Sequence, residues 1–276
     1  MSDHRKPRVL LTGASGLVGG ILREQWGARY QLRLADIQTI EGGRSRTKLP
    51  LNPAHEEFVL LDTSDLDQFT RACEGIDVVV HLAADPSPSA DFYGSLLDRN
   101  VKSTYNAFAA AAAAGCRRVV IASSVNAVLG YGGVGREGQA SGSAWDAPVW
   151  PVNVYGATKC WGEALARVFS TSYSGPSAGE PADGPLSCIC VRLGSPRWDP
   201  EGAGIPSPYG EPQWGLSARD CGQLFGRCVD VEDVPFAIVA GVSRHASSWM
   251  DVEHTCAVLG YTPEDSTGSA AAAAKL

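Results

Sequence analysis

Tyr155 and Lys159 stand four residues apart in Tyr155-Gly-Ala-Thr-Lys159. On a helix that spacing puts both side chains on one face, one turn apart. An ammonium beside a phenol favours the phenolate and would draw the tyrosine pKa of about 10 toward neutrality. Such a pair takes a proton from an alcohol, or returns one to a carbonyl, at physiological pH. A second stretch that carries chemistry is Gly13-Ala-Ser-Gly16-Leu-Val-Gly19, directly after Arg8-Val-Leu-Leu-Thr12. Val9 to Leu11 suit a buried strand, while Leu17, Val18, Ile21, Leu22 and Trp26 recur at helical spacing. Strand, glycine turn and helix in this order suit a dinucleotide. The first glycine permits a tight turn, the second lets backbone approach a pyrophosphate, and the third lets the helix pack on the strand. The helix N-terminus then points free N–H groups at the phosphates. The spacing is Gly-x-x-Gly-x-x-Gly, and an ordinary glycine-rich strand–helix turn is the plainer alternative.

Asp36 favours the dinucleotide. It ends a second apolar stretch, Gln31-Leu-Arg-Leu-Ala35. An acid at that point accepts from the ribose hydroxyls of NAD and repels the extra phosphate of NADP. Arg33 precedes the acid, where an NADP site favours a cation just after it, so NAD is the expected cofactor. Arg44 and Arg46 keep NADP open.

The elements needed to position these groups follow from periodicity. Strands are expected at 57–61, ending at Asp62, and at 76–81, 118–122 and 186–193. Helices are expected over 65–73, 91–114 and 154–169, the long one burying Leu97, Val101, Thr104, Phe108 and Ala111. This alternation implies an α/β fold, a Rossmann-type doubly wound parallel sheet. Ligands of such sheets lie beyond the strands' carboxyl ends, where Gly13, Asp36, Asp62, Ala83, Ser124 and Gly194 fall. The expected division is 1–193 for the NAD-binding and catalytic unit, 194–266 for a small C-terminal substrate lobe and 267–276 for a tail. Residues 170–185 and 196–214, rich in Ser, Gly and Pro, read as loops.

Composition narrows the function classes. With 276 residues, 44% hydrophobic, 19% charged and a net charge of −7, the chain is expected to be globular, without nucleic acid or anionic membrane as partner. No apolar run reaches the roughly 18 residues of a membrane span. The eight cysteines lack metal or disulfide spacing, which implies free thiols, a reducing compartment and no metal site. A cytoplasmic location is expected, although the final Ala274-Lys-Leu276 is similar to a peroxisomal address.

Gly13-x-x-Gly16-x-x-Gly19, Asp36, Asp62, His81-Leu-Ala-Ala84, Asn100-Val-x-x-Thr104-x-Asn106, Ser123-Ser124 and Tyr155-x-x-x-Lys159 occur in this order. Together they resemble the extended short-chain dehydrogenases/reductases of the NAD-dependent epimerase/dehydratase family. Val191-Arg-Leu-Gly-Ser195, Gly215-Leu-Ser-Ala-Arg-Asp220 and Leu259-Gly-Tyr-Thr-Pro-Glu-Asp265 resemble its uronate dehydrogenase branch. The resemblance implies oxidation of a sugar or sugar acid at its anomeric carbon to a lactone. Tyr155 is then the general base, Lys159 lowers its pKa and holds the nicotinamide ribose, and Ser124 (or Ser123) orients the reacting oxygen. Asn100 is implied near the active-site helix and cofactor, or is a local hydrogen-bonder. Gly13, Ser15, Gly16, Leu17, Gly19, Asp36, Asp62, Thr63, Leu82, Ala83 and Ala84 complete the implied NAD site. His81 reads as a structural histidine at a strand end.

Ser87, Val125, Asn126, Ser195 and Arg197 are the remaining implied substrate residues. The uronate branch places an arginine before the position of Leu216-Ser217, and 206–214 has none. Either Arg197 pairs with a sugar carboxylate, or the substrate is a neutral aldose stacked on Trp198, Tyr209 or Trp214. Two alternatives stay open. A sugar-nucleotide epimerase or dehydratase would want a larger C-terminal lobe, and a dehydratase an Asp-Glu pair where this chain has Val125-Asn126. A non-catalytic NAD sensor would be expected to lose the Tyr or the Lys. The family also implies a homo-oligomer through paired helices.

Overall fold

The computed structural model describes residues 5–43, 45, 49–132, 144–171, 185–197, 213–245 and 248–266. Arg44, Arg46, most of the 170–185 and 196–214 stretches with Trp198 and Tyr209, and the 267–276 tail lie outside these residues. The chain runs β1 (Arg8–Thr12), α1 (Leu17–Trp26), β2 (Gln31–Asp36), β3 (Glu56–Leu60), α2 (Leu66–Cys73) and β4 (Val78–His81). A helical segment Phe92–Lys102 leads into α3 (Ser103–Ala113), then β5 (Arg118–Ser124) and α4 (Val154–Phe169). β6 (Ser187–Leu193), β7 (Ser195–Pro196), β8 (Gly215–Leu216), α5 (Ala218–Asp230), β9 (Phe236–Gly241) and α6 (Val252–Leu259) follow.

Seven strands form one sheet in the order β3-β2-β1-β4-β5-β6-β9, every neighbouring pair parallel. The order turns at the β1–β4 boundary, the point at which such sheets bind ligands. Strands covered on both faces must be apolar on both. Val9, Leu11, Val78, Val80 and Val120 accordingly pack toward α1, α5 and α6, while Leu10, Val79, Val119 and Ile121 pack toward α2, α3 and α4. Cys188 and Cys190 share that second face, as expected for buried thiols, and all eight cysteines are free.

Residues beyond β6 continue the same sheet. β9 pairs with β6, and α5 packs on α1, where the Trp26 indole donates to the Gly222 carbonyl at 2.9 Å. β7 and β8 form a separate two-residue ribbon at the ligand end. No helix among the described residues is long and apolar enough to cross a membrane.

The long helix departs from its expected phase. From Phe92 to Lys102 it winds with wide turns, the Leu96 N–H reaching the Asp91 carbonyl five residues back at 3.2 Å. More residues per turn shift the inward positions. Leu96 and Asn100 are therefore buried where Leu97 and Val101 were expected, and the expected stripe resumes in α3 with Thr104, Phe108 and Ala111.

Glu56 opens β3 and joins it to α1 through a bidentate pair with Arg23, at 2.9 and 3.1 Å, both side chains being at most 5% exposed. Burial pushes the Glu56 carboxyl up, but the Arg23 guanidinium and the Asn52 N–H outweigh it and hold the group below its ordinary value. A depressed carboxylate contributes stability above the unfolded pKa of about 4.3 and loses it as pH falls through the folded value. Glu56→Gln should therefore cost about 3–5 kcal/mol at pH 7, with the gap to the parent protein narrowing on acidification below pH ~4.3. Denaturant unfolding across that range measures it; a constant gap would refute the assignment.

Candidate active site

The glycine turn is built by contact. Gly13 has φ +71°, and a Cβ there would lie 2.8 Å from the Ala83 nitrogen. A Cβ at Gly19 would meet the Gly13 carbonyl oxygen at 2.6 Å. The first glycine thus lets the turn abut the end of β4, and the third lets α1 close on it. Beside it, the Ser15 N–H donates to Asp36 at 3.0 Å, and the Ser15 hydroxyl donates to the Gln38 carbonyl at 2.9 Å. The sequence placed Asp36 beside a ribose; the fold also makes it a strut of the glycine turn.

Helix N-termini differ in a way that bears on anions. Asp65, Asp91, Asn153, Ser217 and Asp251 each cap a helix with a side-chain oxygen. α1 begins at Gly16 with no side-chain cap. The helix dipole favours negative charge at such an end.

His81 is structural, as its position suggested. Its Nδ1 lies 2.8 Å from the Thr12 hydroxyl and its Nε2 3.2 Å from the Ser103 hydroxyl, which in turn donates to the Thr63 hydroxyl at 2.8 Å. Burial, with help from Lys159, pushes its pKa down to about 3. The neutral ring ties β1, β4 and α3 together behind Leu82, Ala83 and Ala84, and the Ala83 N–H donates to Thr12 at 3.3 Å. Asp62 lies two residues past β3 in an exposed turn, accepting from the Ser64 N–H and hydroxyl at 2.9 and 2.7 Å.

α4 brings the catalytic candidates together. Asn153 caps it, accepting from the Gly156 N–H at 2.7 Å, and also donates to the Asn126 side chain at 2.8 Å. A Cβ at Gly156 would lie 2.4 Å from the Asn126 carbonyl oxygen, so the helix start rests on the loop after β5. Ser124 shares this end of the sheet with Tyr155 and acts on its phenol; its own hydroxyl accepts from the Asn126 backbone and side chain at 3.1 and 3.2 Å. Ser123 turns the other way and donates to Glu163 at 2.7 Å. Of the two serines, Ser123 is thus engaged on the side away from the phenol. Val125 is buried.

The electrostatics correct one expectation. Burial holds the Tyr155 phenol above its ordinary value; the Ser124 hydroxyl pulls it back, and the Asp85 carboxylate pushes it further up. The net direction is opposite to the lowering expected beside Lys159. The Lys159 ammonium donates to the Ala122 carbonyl at 2.8 Å and lies 5.5 Å from the Tyr155 ring centroid. Desolvation brings Lys159 itself down to about 8. Asn100, implied as catalytic or cofactor-binding, spends its side chain on structure. It accepts from the Asp85 N–H at 2.8 Å and donates to the Asp85 carbonyl and the Thr158 hydroxyl at 3.1 and 3.2 Å. Cys160 faces the Ala127 carbonyl, its thiol pushed up to about 11 by burial.

The substrate candidates frame the same end of the sheet. Ser87 donates its N–H to Asp85 at 3.0 Å. The Ser195 N–H donates to the Trp214 carbonyl at 2.8 Å and the Arg197 N–H to the Leu216 carbonyl at 2.8 Å, which sets both on the β7–β8 ribbon. No metal-holding group of His, Cys, Asp or Glu occurs among the described residues. Sequence reading passed over Asn153, Asp85, Glu163 and Arg192. Only Asn153 carried a local signal, an N-cap residue type just ahead of a helical stretch.

Comparison with known proteins agrees with this geometry. Residues 9–195 match the model of the NAD dependent epimerase/dehydratase family. The chain belongs to that family. It is 32% identical to an NAD-dependent glucose-6-phosphate dehydrogenase of Haloferax volcanii, over 94% of each chain. It is 29% identical to a uronate dehydrogenase of Pseudomonas putida, over 94% of this chain and 85% of the relative. A uronate dehydrogenase variant from Agrobacterium tumefaciens, solved in complex with NAD, superposes with TM-score 0.71 at 26% identity, over 95% of this chain and 86% of the other.

Two changes test the cofactor end. Asp36→Ala should weaken NAD about tenfold or more, since it removes a charged acceptor and loosens the turn, and should narrow the preference over NADP. Gly19→Val should destabilise the fold by about 1–3 kcal/mol through overpacking and lower NAD affinity further. Calorimetric titration with both dinucleotides reads the first, and unchanged NAD and NADP affinities would refute it; unfolding reads the second.

Proposed function

We propose that this protein oxidises a sugar hydroxyl with NAD, taking the anomeric C1 of an aldose or uronate to the lactone, with Tyr155 as general base. The observation that carries this reading is the pairing of Tyr155 with Lys159, whose ammonium lies 5.5 Å from the Tyr155 ring and bonds the Ala122 carbonyl, at the carboxyl end of a sheet whose glycine turn leaves a helix N-terminus without a side-chain cap. The relatives named above act on sugars, which supports the substrate class.

Gly13, Gly16 and Gly19 with the α1 N-terminus would hold the pyrophosphate, Asp36 the adenosine ribose and Lys159 the nicotinamide ribose. Bound NAD supplies the hydride acceptor and the positive charge of its nicotinamide ring. Ser124 donates to the sugar's reacting oxygen and orients it. Tyr155 would take the hydroxyl proton as the C1 hydrogen leaves with its electron pair, so the C1–OH bond becomes the lactone carbonyl and C1 gains its third bond to oxygen. Enclosure of the phenol by protein keeps competing water away from that proton. Within this reading residues 1–193 carry cofactor and chemistry, and 194–266 present Ser195 and Arg197 to the sugar. Arg197 is the cation placed to meet an anionic group on it. The reading extends to a homo-oligomer through α4, whose outer face exposes Val154, Trp161 and Val168.

Incubation with NAD and a panel of aldoses, aldose phosphates, uronates and sugar nucleotides tests the reading through absorbance of the reduced cofactor. Net reduction with free sugars is expected; epimerised product without reduced cofactor would overturn it. Tyr155→Phe should lower kcat by about 10²-fold or more, the range of one proton-transfer group, with NAD affinity nearly intact. Because the phenol is held above its ordinary value, kcat/KM should rise with pH through neutrality into the alkaline range.

Lys159 yields a stability test. Its folded pKa of about 8 lies below the ordinary value. The cost of burying the ammonium is therefore fully present below that pH and relaxes as pH rises through it. Lys159→Met should abolish activity yet raise stability at pH 7 by on the order of 1 kcal/mol, with the gain shrinking above pH ~8 in thermal unfolding. A destabilised variant at pH 7 would refute the account.

A further inference from the structure

Beneath Tyr155 and Ser124 lies a charged cluster that the reaction itself does not use. Glu163 and Arg192 form a bidentate pair at 2.9 and 2.9 Å, with each side chain 4% exposed. The Ser123 hydroxyl donates to the same Glu163 oxygen that takes Arg192 Nε, at 2.7 Å. Arg192 extends one more bond, to the Trp145 carbonyl at 3.3 Å. A buried ion pair of this kind costs much desolvation and seldom stabilises more than an apolar replacement. Its presence here calls for another explanation.

The placement of the three residues supplies one. Glu163 stands four residues after Lys159 and eight after Tyr155, on the stripe of α4 that meets the sheet. Ser123 is the residue before Ser124, and successive strand residues point to opposite faces. A bond that holds Ser123 to the α4 side therefore commits Ser124 away from it, toward the ligand end. Arg192 lies on β6 opposite Ser123 in register, so the carboxylate is gripped from both strands. Close packing leaves little slack: a Cβ at Gly162 would lie 3.0 Å from Ile121 Cδ1.

We propose that Ser123, Glu163 and Arg192 are positioning residues that set the register of α4 against β5, so that Tyr155 and Ser124 face one site. One carboxylate holds both of them, Tyr155 through its helix and Ser124 through its neighbour. Arg192 adds the 144–150 segment through Trp145, and this segment is paired to the loop after β5 by the Trp150 N–H on the Ala127 carbonyl at 2.8 Å. The proposal rests on the reading of Tyr155 as the base.

The test uses three variants of the full chain. Ser123→Ala removes one hydroxyl and no charge; melting should change little while kcat falls about tenfold, as a displaced catalytic contact predicts, with KM for NAD unchanged. Ser123→Thr should restore most of the rate. Glu163→Leu/Arg192→Met removes both charges together; it should fold with melting near that of the parent yet keep the low kcat. Tyrosinate ultraviolet difference absorbance, with Tyr155→Phe as the blank, gives a readout without substrate. The charged groups facing the phenol are Asp85 and Lys159, which these variants leave in place, so a shifted Tyr155 transition reports displacement of the phenol relative to Ser124. Parent-like kcat and parent-like Tyr155 titration in Ser123→Ala and in the double variant would overturn the proposal. Failure of the base assignment looks different: Tyr155→Phe would then keep its turnover.

Discussion

The end of β5 serves two faces of the sheet at once. Ser123 is bound to a buried carboxylate on α4, and Ser124, one residue on, accepts from Asn126 in the loop on which that helix starts. Strand pleating makes the opposition unavoidable, and helical repeat makes it useful, because Tyr155, Lys159 and Glu163 fall on one stripe. The contacts of α4 with Ala122 and Ser123 act as one joint beside Ser124. If the helix turned or slid, both would fail together.

Around that joint, polar side chains are spent on architecture wherever the sheet's carboxyl end would otherwise be loose. Thr12, His81, Ser103 and Thr63 form a chain of bonds behind the cofactor edge, and Asn100 fastens the loop after β4 to α4. Unpaired buried polar groups are expensive, so such groups appear as closed networks. Among the described residues the start of α1 stands apart, with no side-chain cap. Rigid surroundings suit a site that must orient an alcohol before proton and hydride part.

Burial and the Asp85 carboxylate oppose ionisation of Tyr155, while Lys159 is engaged by a backbone carbonyl. In the proposed reaction the positive charge of the nicotinamide would act in the opposite sense, favouring the phenolate.

Much of this was legible in the chain. Glycine spacing at 13, 16 and 19, the doubly apolar strands, and the Tyr–Lys interval are local patterns, set by residue geometry over a few positions, and each is found where its spacing placed it. What the chain could not disclose depends on partners far apart in sequence. Which serine is bound to α4 was decided by Glu163, forty residues on. The inward turn of Asn100 was decided by a widened helix, and the direction of the Tyr155 shift by how deeply the fold buries it. Pairings and desolvation arise only when distant segments meet, and so tertiary structure alone determines them.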